Sequence, residues 1–285
     1  MSILLFIFLV ASSVNSIFCQ PIQEIRLMSF NIRYGTADDG DHHWRLRQDL
    51  VFSVFERHDP AIVGLQEALK FQLDTLLLKF PEYAFTGVGR DDGDTLGEYS
   101  ALFYNKDQFI LKDSGTFWFS ETPNTVASKS WGNHIPRICT WVELSTKNSG
   151  RRFAVYNLHL DHQSQPSREK SVELLMDRLS QQTIPTIVMG DFNAGETNPA
   201  IQYLTTFSPK PSKGFPLQDT FRVLFPDAYP VGTFNGFKGK RDGEKIDYIF
   251  TTRDITVTEA AIVYDHDGKR YPSDHYPVIA TLRLP

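Results

Sequence analysis

Cysteine is nearly absent from this 285-residue chain: only Cys19 and Cys139 occur, so no disulfide framework supports the fold. No Asn-x-Ser/Thr sequon is present, so glycosylation offers no pointer to a compartment. From residue 20 onward there is no internal repeat, low-complexity linker or long run of like charge, which argues against a solenoid, a tethered pair of domains or a polyionic tail. A positive excess is missing too. Lys and Arg number 29 against 34 Asp and Glu, a net charge of −5, which excludes attachment to nucleic acid or anionic lipid by bulk charge but leaves room for a local basic groove. No segment after the N-terminus reaches the roughly 20 apolar residues a helix needs to cross a bilayer, so no stable membrane insertion is expected.

The first twenty residues are of another kind. Ile3 to Ala11 is an unbroken apolar run, followed by Ser12, Ser13, Val14, Asn15 and Ser16. It is too short to span a membrane and fits the apolar stretch of a secretory signal, although no Lys or Arg precedes it. The expectation is a signal peptide over 1–19, cleaved after Ser16 or Cys19, a secreted product, and one domain over 20–285. Cys139 then stands alone in the apolar run Ile138–Leu144, where a thiol acts as a small core hydrophobe.

What is present is core material. Apolar residues make up 41% of the chain, with 22 Phe among them, enough to fill one large domain. Strand signals fall at Ile25–Asn31, Ala61–Glu67, Glu98–Tyr104, Ile138–Leu144, Arg152–His159, Thr186–Asn193, Lys245–Thr251, Ile255–Tyr264 and Tyr276–Leu284. Several are apolar on both faces, which predicts sheets covered on both sides. Helical spacing appears over Trp44–Arg57, Leu69–Phe80 and Pro166–Leu179. Asp91–Gly97 reads as a turn.

The informative feature is where these strands turn polar. Four end in groups a core would reject: Phe30-Asn31, Leu65-Gln66-Glu67, Asn157-Leu158-His159 and Gly190-Asp191-Phe192-Asn193. Two carry the polar group at their start: Lys245-Ile246-Asp247-Tyr248, and Ser273-Asp274-His275 ahead of Tyr276. If the second pair runs opposite to the first four, all six groups reach one rim. A single polar strand end is a solvated terminus; six, bearing carboxylates and imidazoles, make a site.

Carboxylates without thiolates suit a hard cation such as Mg²⁺, for which Mn²⁺ can substitute. His159 and His162, three apart in an extended segment, point to opposite faces and do not share a metal. Glu67 and Asp274, with the amide oxygen of Asn31, offer ligands for one ion. Asp191, Asn193, His159 and His275 supply a base for water and donors for a phosphate, with Asp247 placed to hold a tautomer of His275. Whether Asp191 or His275 is the base stays open on these grounds.

Together, Met28-Ser29-Phe30-Asn31, Leu65-Gln66-Glu67, Asn157-Leu158-His159-Leu160, Gly190-Asp191-Phe192-Asn193, Ile246-Asp247-Tyr248-Ile249 and Ser273-Asp274-His275-Tyr276-Pro277 resemble, in order, the motifs of the endonuclease/exonuclease/phosphatase superfamily. Each alone is weak; six in order are specific. The resemblance covers about residues 23–285. It implies an α/β fold, a four-layer α/β sandwich with two mostly antiparallel β-sheets face to face and helices outside. It also implies Mg²⁺-dependent phosphoester cleavage by in-line attack of water. Carried over by position, Glu67 is the principal metal ligand with Asn31 and Asp274 beside it. Asp191 and Asn193 orient water and phosphate, Asp247 and His275 form the catalytic pair, and His159 donates to the phosphate, oriented by Glu98 of Gly97-Glu98-Tyr99-Ser100. One departure stands out: where some nucleolytic members carry an acid two residues after the first Asn, this chain has Arg33, which either meets substrate phosphate or pairs with a surface acid.

For substrate, the patterns of inositol polyphosphate 5-phosphatases are missing, and Gly190-Asp191-Phe192-Asn193-Ala194 with Asn198-Pro199-Ala200 is closer to the exonuclease and deadenylase-like branch and to small secreted members. Residues Val231–Lys245 interleave Phe234 and Phe237 with Lys238, Lys240, Arg241 and Lys245, a composition that can stack bases and hold phosphates. Nucleic acid is therefore the favoured substrate, with Lys238, Arg241 and Arg137 as contacts. A solvated Gly-rich hairpin is the plain alternative for that loop. A sphingomyelinase-like lipid phosphodiesterase, a phosphomonoesterase and a non-catalytic binding protein on the same fold are the alternatives for the whole, and a monomer is expected.

Overall fold

The computed structural model describes residues 24–207 and 215–285. The expected signal peptide over 1–19, with Cys19, lies outside the described residues.

The first unit is β1 (Glu24–Asn31), α1 (Trp44–His58) and β2 (Ile62–Ala68), followed by α2 (Lys70–Lys79), β3 (Tyr83–Thr86) and β4 (Tyr99–Asn105). Helix α1 starts where His43 accepts the Arg45 N–H, and stops at Asp59, which is left-handed (φ 42°) ahead of Pro60. Next come β5 (Phe109–Trp118), β6 (Ile138–Thr146), β7 (Arg152–His159), α3 (Gln165–Leu179) and β8 (Thr186–Asp191). Ser164 caps α3 by accepting the Ser167 N–H, with Pro166 in its first turn. The chain then forms α4 (Pro199–Thr206), β9 (Gln218–Asp219), α5 (Thr220–Leu224) and β10 (Asp247–Thr251), and closes with β11 (Thr256–Ile262) and β12 (Val278–Arg283).

Two six-stranded sheets result, ordered β11-β12-β1-β2-β4-β3 and β5-β6-β7-β8-β10-β9. Each has one parallel pair, β1 with β2 and β7 with β8, and is otherwise antiparallel. Three apolar clusters define four layers. One fills the seam between the sheets, with Leu27, Ile62, Leu102, Val155, Ile187, Met189 and Val278. A second packs α3 and α4 on the second sheet through Val172, Leu175, Met176 and Leu204, and a third packs α1 and α2 on the first through Val51, Val54, Leu73 and Leu76. Each such side chain, fully buried, contributes roughly 1.5–3 kcal/mol of transfer free energy.

The seam also carries polar groups, which bond across it, although Gln66 Oε1 is buried without a partner. Asn157 Nδ2 donates to the carbonyls of Leu65 (2.9 Å) and Ala101 (2.8 Å), while its Oδ1 accepts from Gln66 Nε2 at 2.6 Å. Gly64 lies opposite: a Cβ there would stand 2.7 Å from Met189 Sδ and 2.8 Å from the Asn157 amide. Asn157 and Gln66, polar strand ends in the sequence, thus bind one sheet to the other and do not reach the site.

Topology brings the site residues together. The ends of β1, β2, β7 and β8 face the same rim, and β10 and β12 run antiparallel to β8 and β1, so their starts arrive there too; Asp247 pairs with Asp191, and Val278 with Ser29. Several elements were not legible in the sequence. Strand β5 is an edge strand exposed along its middle, so it lacks the apolar alternation of a covered strand. Lys245, expected at the polar head of β10, is instead fully buried, its Nζ 2.6 Å from Asp219 and 3.4 Å over the Tyr248 ring.

Candidate active site

An open cavity of about 630 Å³ lies at this rim. Glu67, Glu98, Arg137, His159, Asp191, Asn193, Asp274 and His275 line it; Asn31 and Asp247 are buried just behind. Lys238 and Arg241 do not line it. Lys238 borders a separate groove beside His42 and Phe237, and the Arg241 guanidinium lies 4.0 Å over the Tyr264 ring. The expectation that this loop lays a basic track at the site is corrected: its cations turn outward or are held by aromatic rings, and Phe234 is the loop aromatic that reaches the cavity.

Glu67 owes its place to a break in strand pairing. The ladder between β2 and β4 slips between Leu65 and Ala68, and Glu67 adopts φ 58°. In a regular strand Glu67 would point away from the seam, under α2; the bulge re-aims it. Asn31 then fixes it. Asn31 Nδ2 donates to Glu67 Oε1 and to Asp191 Oδ2, both at 3.0 Å, while Asn31 Oδ1 accepts the Arg33 N–H at 3.0 Å. The amide oxygen expected beside a metal is thus engaged by backbone, and Asn31 works here as a clamp on two carboxylates.

Asp191 is the hub. Its Oδ1 accepts the Asn193 N–H at 2.9 Å, and its Oδ2 lies 3.5 Å from His159 Nε2 and 3.8 Å from His275 Nε2. Asn193, left-handed at φ 47°, turns the chain so that this bond forms, and its Nδ2 donates to the Leu160 carbonyl. His275 Nδ1 meets Asp247 Oδ2 at 2.9 Å, as expected, which leaves Nε2 toward Asp191. Asp247 Oδ1 is buried with no partner.

Burial and charge divide the two imidazoles. Burial, reinforced by Arg137 and Arg90, holds His159 well below the ordinary histidine range. Burial opposes charge on His275 also, but Asp247 and Asp191 overcome it and hold that imidazolium well above the ordinary range. Burial, with Asp247 close by, pushes Asp191 up to about 7. These opposed shifts in adjoining groups are the signature of acid–base work.

The expected pairing of Glu98 with His159 is corrected. Glu98 Oε1 accepts from Arg90 at 2.7 Å, whereas His159 Nδ1 stands 4.0 Å from Glu98 Oε2, beyond a hydrogen bond. Glu98 therefore does not keep His159 charged, and the neighbouring arginines favour the neutral ring. Arg90 opens the turn read over Asp91–Gly97, but no motif marks it as a partner of Glu98. Arg137 is as expected at the cavity, with 2% of its surface exposed. Its Nε lies 3.3 Å from Asp161, and its Nη2 meets His162 Nδ1 at 2.7 Å. His162, which also lines the cavity, thus braces Arg137. Cys139 is buried and its thiol is pushed up by burial, as a core hydrophobe should be.

Glu67 and Asp274 present two carboxylates at the cavity wall, both within 4 Å of the Arg33 guanidinium. A pair that already faces one cation fits a divalent ion in its donor chemistry. Asp191, Asp247 and His275 also come within 4.8 Å of one another, but His275 Nδ1 is engaged by Asp247 there, so that cluster reads as a proton relay.

Comparison with known proteins agrees with this geometry. The family model described as "Endonuclease/Exonuclease/phosphatase family" matches residues 28–275. A solved endonuclease/exonuclease/phosphatase structure from Bacteroides vulgatus is 35% identical, with a TM-score of 0.84 over 92% of this chain and 100% of that one. A mannosyl-6-phosphatase from Bacteroides thetaiotaomicron is 32% identical, with a TM-score of 0.82 over 91% and 100%. Nocturnin of Rattus norvegicus is 30% identical over 288 residues, which span 89% of this chain and 63% of nocturnin.

Proposed function

The chain belongs to the endonuclease/exonuclease/phosphatase family of metal-dependent phosphoester hydrolases, and within that class we propose a secreted, Mg²⁺-dependent enzyme acting on compact phosphoesters such as sugar phosphates. The observation that carries this is Arg137. Almost wholly buried, braced by Asp161 and His162 and lining the cavity, it offers a fixed cation to a phosphate that enters, which suits a compact phosphoester. The mannosyl-6-phosphatase among the similar structures favours the same class.

In this reading Glu67 and Asp274 hold the ion, which supplies charge neutralisation for the phosphoryl and leaving oxygens. The remaining work falls to the protein. Asp191, fixed by Asn31 and the Asn193 N–H, accepts the proton of the attacking water. His275, its Nδ1 held by Asp247, donates from Nε2 to the charge that develops on the phosphoryl group. His159, neutral, adds a hydrogen bond from Nε2 without adding charge.

A second reading keeps nucleic acid as substrate and rests on Phe234, which is 49% exposed and stands edge-on to His275 with ring centroids 5.1 Å apart. A base could stack there. The deciding experiment is a hydrolysis panel with and without Mg²⁺ over hexose phosphates, mononucleotides, single- and double-stranded DNA, RNA and sphingomyelin, with Asp191→Ala as the blank. Greatest kcat/KM on a sugar phosphate supports the first reading; greatest kcat/KM on a polynucleotide replaces it with the second. N-terminal sequencing of protein recovered from the medium tests secretion and cleavage after Ser16 or Cys19.

A further inference from the structure

Arg33 occupies a peculiar place. Its Nη1 lies 3.9 Å from Glu67 Oε2 and its Nε 3.8 Å from Asp274 Oδ2, so it faces both carboxylates without bonding either. Its hydrogen bonds go to a third acid. Nε donates to Asp39 Oδ2 at 3.0 Å and Nη2 to Asp39 Oδ1 at 2.9 Å, a two-pronged grip that fixes the guanidinium plane. The backbone is fixed as well: Arg33 is left-handed at φ 58°, its N–H is held by Asn31 Oδ1, and its side chain lies over the Tyr34 ring at 4.7 Å. A non-glycine residue keeps such a conformation only where its surroundings enforce it. An arginine serving a surface ion pair needs none of this.

We propose that Arg33 is a built-in positive charge that weakens the hold of Glu67 and Asp274 on a divalent ion, and that Asp39 is the tether holding the guanidinium back from those carboxylates so that the ion can enter. The proposal rests on the reading of Glu67 and Asp274 as the ion's ligands. A like charge placed there lowers the affinity for a cation, and its strength depends on distance, which Asp39 sets.

The test is calorimetric titration of the full chain with Mn²⁺ and no substrate, at fixed ionic strength. The parent is expected to bind one ion. Arg33→Met should bind Mn²⁺ roughly tenfold more tightly, as removal of a nearby like charge implies. Asp39→Asn should weaken binding, because the released guanidinium closes on Glu67 and Asp274. The double variant should match Arg33→Met, since Asp39 acts through Arg33. Additive effects in the double variant would overturn the tether, and unchanged affinity in Arg33→Met would overturn the counter-charge. If Arg33→Met does not fold, Arg33→Gln removes the charge, retains amide donors toward Asp39 and carries the same expectation. Glu67→Gln separates the two levels: if it leaves Mn²⁺ binding intact, the ligand reading itself fails, whereas normal loss with Glu67→Gln beside a silent Arg33→Met removes only the inference.

Discussion

Asp247 touches its imidazole through one oxygen and leaves the other buried and unbonded, so its function is confined to His275. Asp247→Asn is expected to lower kcat roughly 10²-fold or more with little change in KM, because an amide no longer fixes the tautomer or supports the imidazolium. Steady-state kinetics beside an unchanged circular dichroism spectrum checks it. His159 gives a stability prediction. Its folded pKa lies below its unfolded value of about 6.5, so the stability it contributes is present above that pH and is lost as pH falls toward the folded value. His275, raised, works in the opposite sense and loses its contribution as pH rises through its folded pKa. The drop in Tm between pH 7 and pH 5, measured in chelator, should therefore be shallower in His159→Gln than in the parent. The residues legible from sequence were those for which a polar group interrupts an apolar strand, as with Glu67, His159, Asp191 and Asp247. Lys238 and Arg241 misled because composition says which charges a loop owns and nothing about where each side chain turns. Glu98 misled because its partner, Arg90, comes from a turn eight residues away that no periodicity marks.

At the level of elements, two glycines test how closely the layers approach. Gly64→Ala should cost about 1–3 kcal/mol, the usual range for overpacking: Met189 Sδ is flexible and can yield, while the Asn157 side chain, held by hydrogen bonds, must shift slightly. Gly190→Ala should cost more. Gly190 has φ 148°, and a Cβ there would run into the Leu158 carbonyl of the neighbouring strand, which cannot move without breaking the ladder. Urea denaturation of the two variants should rank them in that order. Element boundaries followed the sequence where breakers were written into it, as at Pro60 and Pro81. They failed at β5, where an edge strand is solvated and loses its alternation, and at β3, four residues long and only partly buried beyond Tyr83. The bulge at Glu67 is of the same kind: an irregularity of pairing between β2 and β4 that neither strand shows by itself.

For the whole molecule, the site straddles two sheets: Asn31 and Glu67 belong to the first, Asp274 and His275 to the segment that leads into its strand β12, and His159, Asp191 and Asp247 to the second. Chelation should abolish hydrolysis and Mg²⁺ or Mn²⁺ should restore it; full activity in excess chelator, with no metal by elemental analysis, would refute the mechanism. Loss of activity and loss of secondary structure should also coincide along a urea titration, because any parting of the sheets separates Asp247 from His275. The overall architecture was legible because the order of six polar strand ends carries it, while substrate was not, because it depends on which side chains enter one cavity. The pairing of β1 with β12 has a consequence in time. The two strands meet through residues such as Glu24 and Arg283, 259 positions apart. A chain emerging from the ribosome must keep β1 with one flank unpaired until β12 has followed, and Asp274 and His275 emerge just ahead of that strand. The last piece of sheet and the last piece of the proton relay are therefore delivered together, so a nascent chain that stalls short of them has neither a closed first sheet nor chemistry.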